Sequence, residues 1–415
     1  MAFYSGTKTN KNLVFGDKGE IGNSSFAYSE AATIASTENK ITASDGAADD
    51  QFSYKSVAIG NGRIVVGAYQ DDDNGSTSGS AYIFDLAGTQ LAKITASDNA
   101  AGDSFGISVA IGNGRIVVGA YQDDDNGSSS GSAYIFDLDG TQLAKITASD
   151  GAANDYFGYS VAIGNGRIVV GAYADDDAGS SSGSAYIFDL DGTQLAKITA
   201  SDAAANDYFG NSVAIGNGRI VVGAKQDDDN GETSGSAYIF DLDGTQLAKI
   251  TASDGAAYDQ FGNSVAVGNG RIVVGADGDD SYKGSAYIFD LDGTQLAKIT
   301  ETNRVDFHSF GISVAVGSGR IVVGTLANVY RGSVYIFDLD GTQLTKITAS
   351  DRAIAQYFGG DVAIGSGRIV VGAYGDGDNG NYSGAAYIYN TNEYYDDYVE
   401  KIADNRIGKY TKLTG

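Results

Sequence analysis

The sequence predicts an all-β protein, a single seven-bladed β-propeller of four-stranded antiparallel blades. Three observations predict it. A unit of about fifty residues recurs seven times within the 415 residues. Each copy holds four short apolar runs separated by turn residues. The composition is rich in Gly (59) and Tyr (27) and contains no Pro, Cys or Trp. A length of this size would otherwise suggest two or three domains, but a propeller is one closed unit of many small sheets.

The repeat is marked by Phe52, Phe105, Phe157, Phe209, Phe261, Phe310 and Phe358, at spacings of 53, 52, 52, 52, 49 and 48 residues. All but Phe52 precede a glycine; Phe52 precedes Ser53. In the unit starting at Phe157, Ser160-Val161-Ala162-Ile163 reads as strand a. Gly164-Asn165-Gly166 follows, and Asn-Gly is a strong hairpin signal because both turn residues need positive φ. Arg167 to Ala172 reads as strand b, and its near-continuous apolar run suits a sheet covered on both faces. A polar loop from Asp175 to Gly183 leads to strand c, Ser184-Ala185-Tyr186-Ile187-Phe188. Asp191-Gly192 turns the chain into strand d, Gln194 to Thr199, whose mixture of Lys and Gln with apolar residues suits an outer edge. The competing architecture, an open solenoid, calls for a distinct capping repeat, and none is visible.

There are seven a–b–c units but eight d-like segments, the first at Lys40-Ile41 and the last at Lys401-Ile402. The first, Lys40-Ile41-Thr42-Ala43-Ser44-Asp45, matches the internal copies better than Lys401-Ile402-Ala403-Asp404. Residues 38–45 are therefore expected to form the outer strand of the last blade and close the ring. The domain plan that follows is an N-terminal attachment segment 1–39, a propeller 40–404 and a basic C-terminal tail 405–415.

The strings Phe157-Gly158-Tyr159-Ser160-Val161-Ala162, Val169-Val170-Gly171-Ala172 and Gly183-Ser184-Ala185-Tyr186-Ile187-Phe188 resemble the FG-GAP repeat, which builds the propeller of integrin α subunits and of many microbial surface proteins. The resemblance covers about residues 40–404. In the integrin-like family the loop between the first two strands often carries an Asp-rich calcium site. Here that loop is Gly112-Asn113-Gly114 or Gly317-Ser318-Gly319, so no calcium ligand carries over to it. Blades this alike, without a secretion signal and with short flanks, resemble FG-GAP proteins of marine bacteriophage virions. That resemblance implies a structural or adhesion protein of a virion, made in the host cytoplasm, with other virion proteins and host-surface glycans as partners. The alternative is a calcium-dependent carbohydrate-binding module at a bacterial cell surface or outside the cell.

The formal net charge is −26, and the repeat region 40–404 carries −28, offset by a net +2 in the flanks. Such a surface repels phosphate backbones, which argues against nucleic acid as a partner. No apolar stretch is long enough for a membrane-spanning helix, and the first residues lack the apolar core of an export signal. With one histidine, His308, and no cysteine, Ser–His and Cys–His nucleophile schemes are nearly closed, and no catalytic residue is assigned.

Two sets of residues stand out as binding candidates. Strand order puts the b–c and d–a loops on one face of the disc, and the b–c loops carry aspartate triplets. Asp71, Asp73, Asp123, Asp125, Asp175, Asp177, Asp227 and Asp229 are the candidate ligands for a hard cation such as calcium. The bland reading is that they are solvated turns satisfying loop backbone. Blade six departs from the pattern: its b–c loop, Leu326 to Arg331, has lost every acid, and its incoming d–a loop gains Arg304, Phe307 and His308. With Leu326, Val329, Tyr330, Arg331 and Arg352, these form the candidate partner-binding patch, because burying aromatic, aliphatic and Arg side chains is what interface hot spots do. The bland reading here is drift in a worn repeat.

Overall fold

The computed structural model describes residues 38–391, apart from 302–306, 327–330, 352 and 354. Those residues form seven four-stranded antiparallel sheets, each in the order a-b-c-d, arranged as the blades of a propeller. Blade three has strands Ser160–Gly164, Arg167–Ala172, Ser184–Phe188 and Gln194–Ile198, close to the strands read from its sequence.

The two hairpins of a blade are built differently. At the a–b turn both Asn113 (φ 49°) and Gly114 (φ 76°) are left-handed, the geometry that the Asn-Gly pair signals. At the c–d turn only Gly140 is left-handed (φ 91°), and the carboxylate of Asp137 accepts the N–H groups of Asp139 (3.0 Å) and Thr141 (2.8 Å). The strand pairing slips between Ile135 and Phe136, so this connection is a turn with a bulge.

Blades stick to one another through strands b and c. Val65, Ala81 and Ile83 of blade one pack on Phe105, Ile116, Tyr134 and Phe136 of blade two, all at most 1% exposed. The landmark phenylalanine sits at this seam: Phe105 bridges Gly79 of the preceding blade and packs edge-on against Tyr134 (5.5 Å) and Phe136 (5.9 Å) of its own. The glycine next to the end of strand b is dictated by the following seam, since a Cβ on Gly119 would lie 1.9 Å from the carbonyl oxygen of Gly158 in blade three.

The ring closes as the N-terminal d-like segment predicts. Asn39–Ile41 pairs antiparallel with Ala385–Asn390, with Lys40 opposite Tyr387. Phe52 bridges Gly384, and Ile41, Ala43, Phe52, Val370 and Ile388 share one apolar cluster. The first and last blades are thereby one continuous packing unit. The C-terminal copy, Lys401-Ile402, lies outside the described residues, as do residues 1–37 of the proposed N-terminal segment, residues 392–404 of the proposed propeller and the proposed tail 405–415.

Candidate functional site

Each of the first four aspartate triplets is folded around a lysine. In blade one the first aspartate, Asp71, is buried at the start of the b–c loop, where its Oδ1 accepts the N–H of Asp73 (3.2 Å) and folds the third carboxylate back beside it. The middle residue, Asp72, points to solvent. Asp45, from the preceding d–a loop, completes the group. Into its centre comes Lys93 of strand d, with Nζ 2.8 Å from Asp45, 2.9 Å from Asp71 and in contact with Asp73. Beneath lies Tyr82 of strand c, directly opposite Lys93 in the sheet, with the ammonium 5.3 Å from its ring centroid and its hydroxyl donating to Asp71 (2.8 Å) and Asp45 (2.9 Å).

The pattern recurs around the disc. Lys145 sits among Asp98, Asp123 and Asp125; Lys197 among Asp150, Asp175 and Asp177; Lys249 among Asp202, Asp227 and Asp229. In blade seven the lysine is Lys40 of the closing strand, with Asp351 (2.7 Å), Asp376 (2.7 Å) and Asp378 (2.6 Å). Blade five keeps a smaller version, Lys298 with Asp254 and Asp279, each at 2.7 Å. Burial opposes the charge on Lys93, but the hydrogen bonds to Asp45, Asp73 and Asp71 outweigh it and hold the ammonium above the ordinary lysine range. Partial burial likewise pushes Asp45 up, and the bonds from Lys93 and Tyr82 bring it below the usual aspartate value.

All eight aspartates singled out in the sequence therefore meet in these clusters, two per blade. In four of the clusters the carboxylate oxygens lie within 4.8 Å of one another. Hard oxygen donors gathered this closely could bind a metal ion. The cation that each cluster already holds is a lysine Nζ, which a metal would have to displace. Lys93, Lys145, Lys197 and Lys249 are the residues the sequence reading passes over; the signal was present as a lysine placed 22 residues after the first aspartate of each triplet.

Blade six rebuilds the cluster from a different acid. Glu301 accepts the hydroxyl of Tyr335, lies 3.5 Å from Lys346 Nζ, and takes His308 Nδ1 at 2.7 Å. His308 is thus turned inward rather than offered to a partner. Phe307 is the opposite: it is 68% exposed, stacked only loosely on Tyr282 at 6.3 Å. Leu326 is half-buried and its N–H donates to the carbonyl of His308 (3.1 Å), which puts these two loops side by side, and Arg331 is exposed. Arg304, Val329, Tyr330 and Arg352 lie outside the described residues.

Seven repeated antiparallel blades, closed by an exchanged strand and faced with lysine-filled acidic clusters, define a β-propeller assembled from one repeat. That repeat is the FG-GAP repeat: the family's model matches residues 36–84, 89–136, 141–188, 193–240, 245–289 and 342–389, more than half of the chain, and the chain belongs to this family. The matched segments leave out residues 290–341, the stretch that carries the altered blade six. Comparison with curated proteins finds no match.

Proposed function

We propose that this chain is a non-enzymatic structural or adhesion protein, a rigid propeller displayed on a larger assembly for attachment or decoration, and that the assembly is a phage virion. The observation that carries the reading is the closed ring itself. Apolar seams fasten blades one to six in sequence, and the last blade is fastened to the first by an apolar cluster and by Lys40 and its strand. Such a body presents loops without changing shape, which suits display, and an FG-GAP propeller is consistent with a structural or adhesion role. No helix among the described residues is long and apolar enough to cross a membrane.

The sequence flanks before and after the propeller serve as attachment in this reading, and the loop-rich face looks outward. Phe307 with Leu326 and Arg331 is the proposed contact for a neighbouring protein. Calcium, where present, is a weak ligand of the aspartate clusters and not a folding requirement, since each cluster carries its own ammonium. The test is to purify particles from lysed producing cells and label them with antibody raised against the isolated propeller. The reading expects the propeller to co-sediment with particles and regular surface labelling in electron micrographs. Propeller found only in the soluble fraction, with unlabelled particles, would overturn it.

A further inference from the structure

The propeller's axis holds a second group of residues that the repeat does not account for. A cavity of about 240 Å³ lies between the first strands of the blades, lined among others by Lys55, Tyr159, Asn211, Lys225, Asn263 and Asp361. It is small for a ligand pocket, for which about 300–1,000 Å³ is usual, and of a size for one small molecule.

Its two lysines are unlike the rest. Of the ten lysines among the described residues, eight have a carboxylate partner at ion-pair distance. Lys55 and Lys225 have none, in a chain whose net charge is −26. Lys225 has only the side-chain oxygen of Asn263, at 3.4 Å. Lys55 reaches across the axis from blade one to within 6.0 Å of the Tyr159 ring centroid in blade three.

Both lysines are departures from the repeat at one level of the channel. Phe52 and Val57 are five residues apart where Phe105 and Val109 are four apart, and the added residue is Lys55, held left-handed at φ 50°. Lys225 follows strand b at the position that Tyr69, Tyr121, Tyr173 and Tyr374 fill in other blades. Those tyrosines and their neighbours form an arc from blade seven to blade three. Tyr54 contacts Tyr374 (4.9 Å) and Tyr69 (5.2 Å), and Tyr159 contacts Tyr173 (4.6 Å) and Tyr121 (5.7 Å). Their rings are half-buried, so each keeps part of its surface open.

The opposite arc is polar and pre-set. Asn211, 7% exposed, donates to the carbonyls of Gly262 and Asn263 at 3.2 Å, and Asn263 donates to Asp277 at 2.9 Å. Asp361 stands where the six other blades carry serine, and its oxygens accept the N–H groups of Val57 (2.8 Å) and Val362 (2.9 Å). Burial pushes both carboxyls up, Asp361 to about 7, while burial and the nearby charge of Lys55 push Lys225 down, so an anion bound between the two lysines would favour the charged form of Lys225.

We propose that the axial cavity, at its mouth on the loop-rich face, is a binding site for a sugar acid: a pyranose bearing a carboxylate, free or at the end of an acidic glycan. Lys55 and Lys225 hold the carboxylate, Tyr159, the tyrosine of the arc that lines the cavity, packs on the ring face, and Asn211 and Asn263 orient hydroxyl groups. A neutral sugar leaves two ammonium groups without a carboxylate, and a bare anion leaves the aromatic ring unused, so the site selects for both features together. The inference concerns the isolated propeller and does not depend on which assembly displays it.

The experiment is a titration of the full chain with glucuronate, galacturonate, glucose and acetate, read by tyrosine fluorescence and calorimetry, in low salt and in added salt. The chain has no Trp, so the fluorescence reports the tyrosines alone. At least one hexuronate should bind, at least tenfold more tightly than glucose or acetate and more weakly as salt rises. Lys225→Tyr restores the residue that the repeat carries, so it folds, and it should lose tenfold or more in hexuronate affinity; Lys55→Gln should do likewise. No binding of either hexuronate, equal binding of glucose, or unchanged affinity in both variants would each overturn the proposal. A disaccharide ending in glucuronate, run beside the free acid, tells a glycan terminus from a free sugar acid. Tighter binding of the disaccharide assigns the glycan, and exclusion of it assigns the free acid.

Discussion

Lys40 Nζ lies 2.7 Å from the Asp376 carboxylate, joining two residues 336 positions apart in the chain. The same ammonium touches Asp351 and Asp378. This is the contact by which the first strand of the propeller holds the last blade, and it repeats, across the closure, the geometry that Lys93 or Lys145 builds within a blade.

Lys40→Ala should therefore be costly. Asp376 has a side chain only 1% exposed, and removing its counter-charge leaves a buried carboxylate unpaired. Breaking a buried pair costs about 3–5 kcal/mol, and the 20% exposure of Lys40 places this one at the lower end. Urea unfolding should show a loss of about 3 kcal/mol, against under 1 kcal/mol for Lys283→Ala, whose partner Asp280 is 50% exposed where Asp376 is buried. Equal losses for the two variants would mean that the closing strand is held by packing alone.

Replacing an internal ammonium should convert an acidic cluster into a cation site. Lys145→Met leaves Asp98, Asp123 and Asp125 facing each other with no cation between them. The variant should melt several degrees lower in chelator and recover with millimolar calcium, while the wild type shifts little between the two. A wild-type melting temperature that collapses on chelation would show that an ion, and not Lys145, is the resident charge.

Acidity should stabilise the fold before it destroys it. Burial raises Asp50, Asp155 and Asp207 to about 6 and Asp361 to about 7. A carboxyl raised in the folded state takes up protons that the unfolded chain does not between about pH 4 and 7, so these four groups make stability rise as pH falls through that window. Asp45, Asp98, Asp150, Asp202, Asp254 and Asp351 are lowered, so their contribution is present above the ordinary aspartate pKa and lost below it. The melting temperature should be higher at about pH 5 than at pH 8, and should fall below about pH 4. A steady fall from pH 8 to pH 5 would contradict this assignment.

Phe307 gives the test of the partner patch. Its exposed ring is favourable to bury, at roughly 1.5–3 kcal/mol for a large apolar side chain. Phe307→Ala should reduce incorporation into the native assembly several-fold, whereas Leu143→Ala, an exposed rim position on blade two, should not. Equal effects would reduce blade six to a drifted repeat.

The blades were legible because their signals are local: Asn113-Gly114 fixes a turn, Val117 and Val118 a doubly covered strand, and the Phe105 landmark a period. The closing strand was legible because Lys40-Ile41-Thr42 copies the internal ones. What was not legible is which side chains meet across strands. The lysines of strand d read as an outer, solvated edge, and only the pairing of Lys93 with Tyr82 turns them into the acidic loops. His308 read as part of a contact patch, and its bond to Glu301 shows that it supports blade six from within. The axial lysines stand in the sequence as one irregular spacing, after Phe52, and as one of three breaks in a tyrosine column, at Lys225, Asp277 and Leu326, whose meaning depends on the ring being closed.

The ring closes on its own N-terminal strand and side chains, Lys40 among them. Hydrogen exchange of the full chain in chelator, resolved by peptide, tests it most directly. The amides of Asn39–Ile41 should be protected to the same degree as those of Ala385–Asn390, with which they pair, and added calcium should leave both unchanged. Rapid exchange of Asn39–Ile41, or protection of the blades that appears only with calcium, would contradict the account.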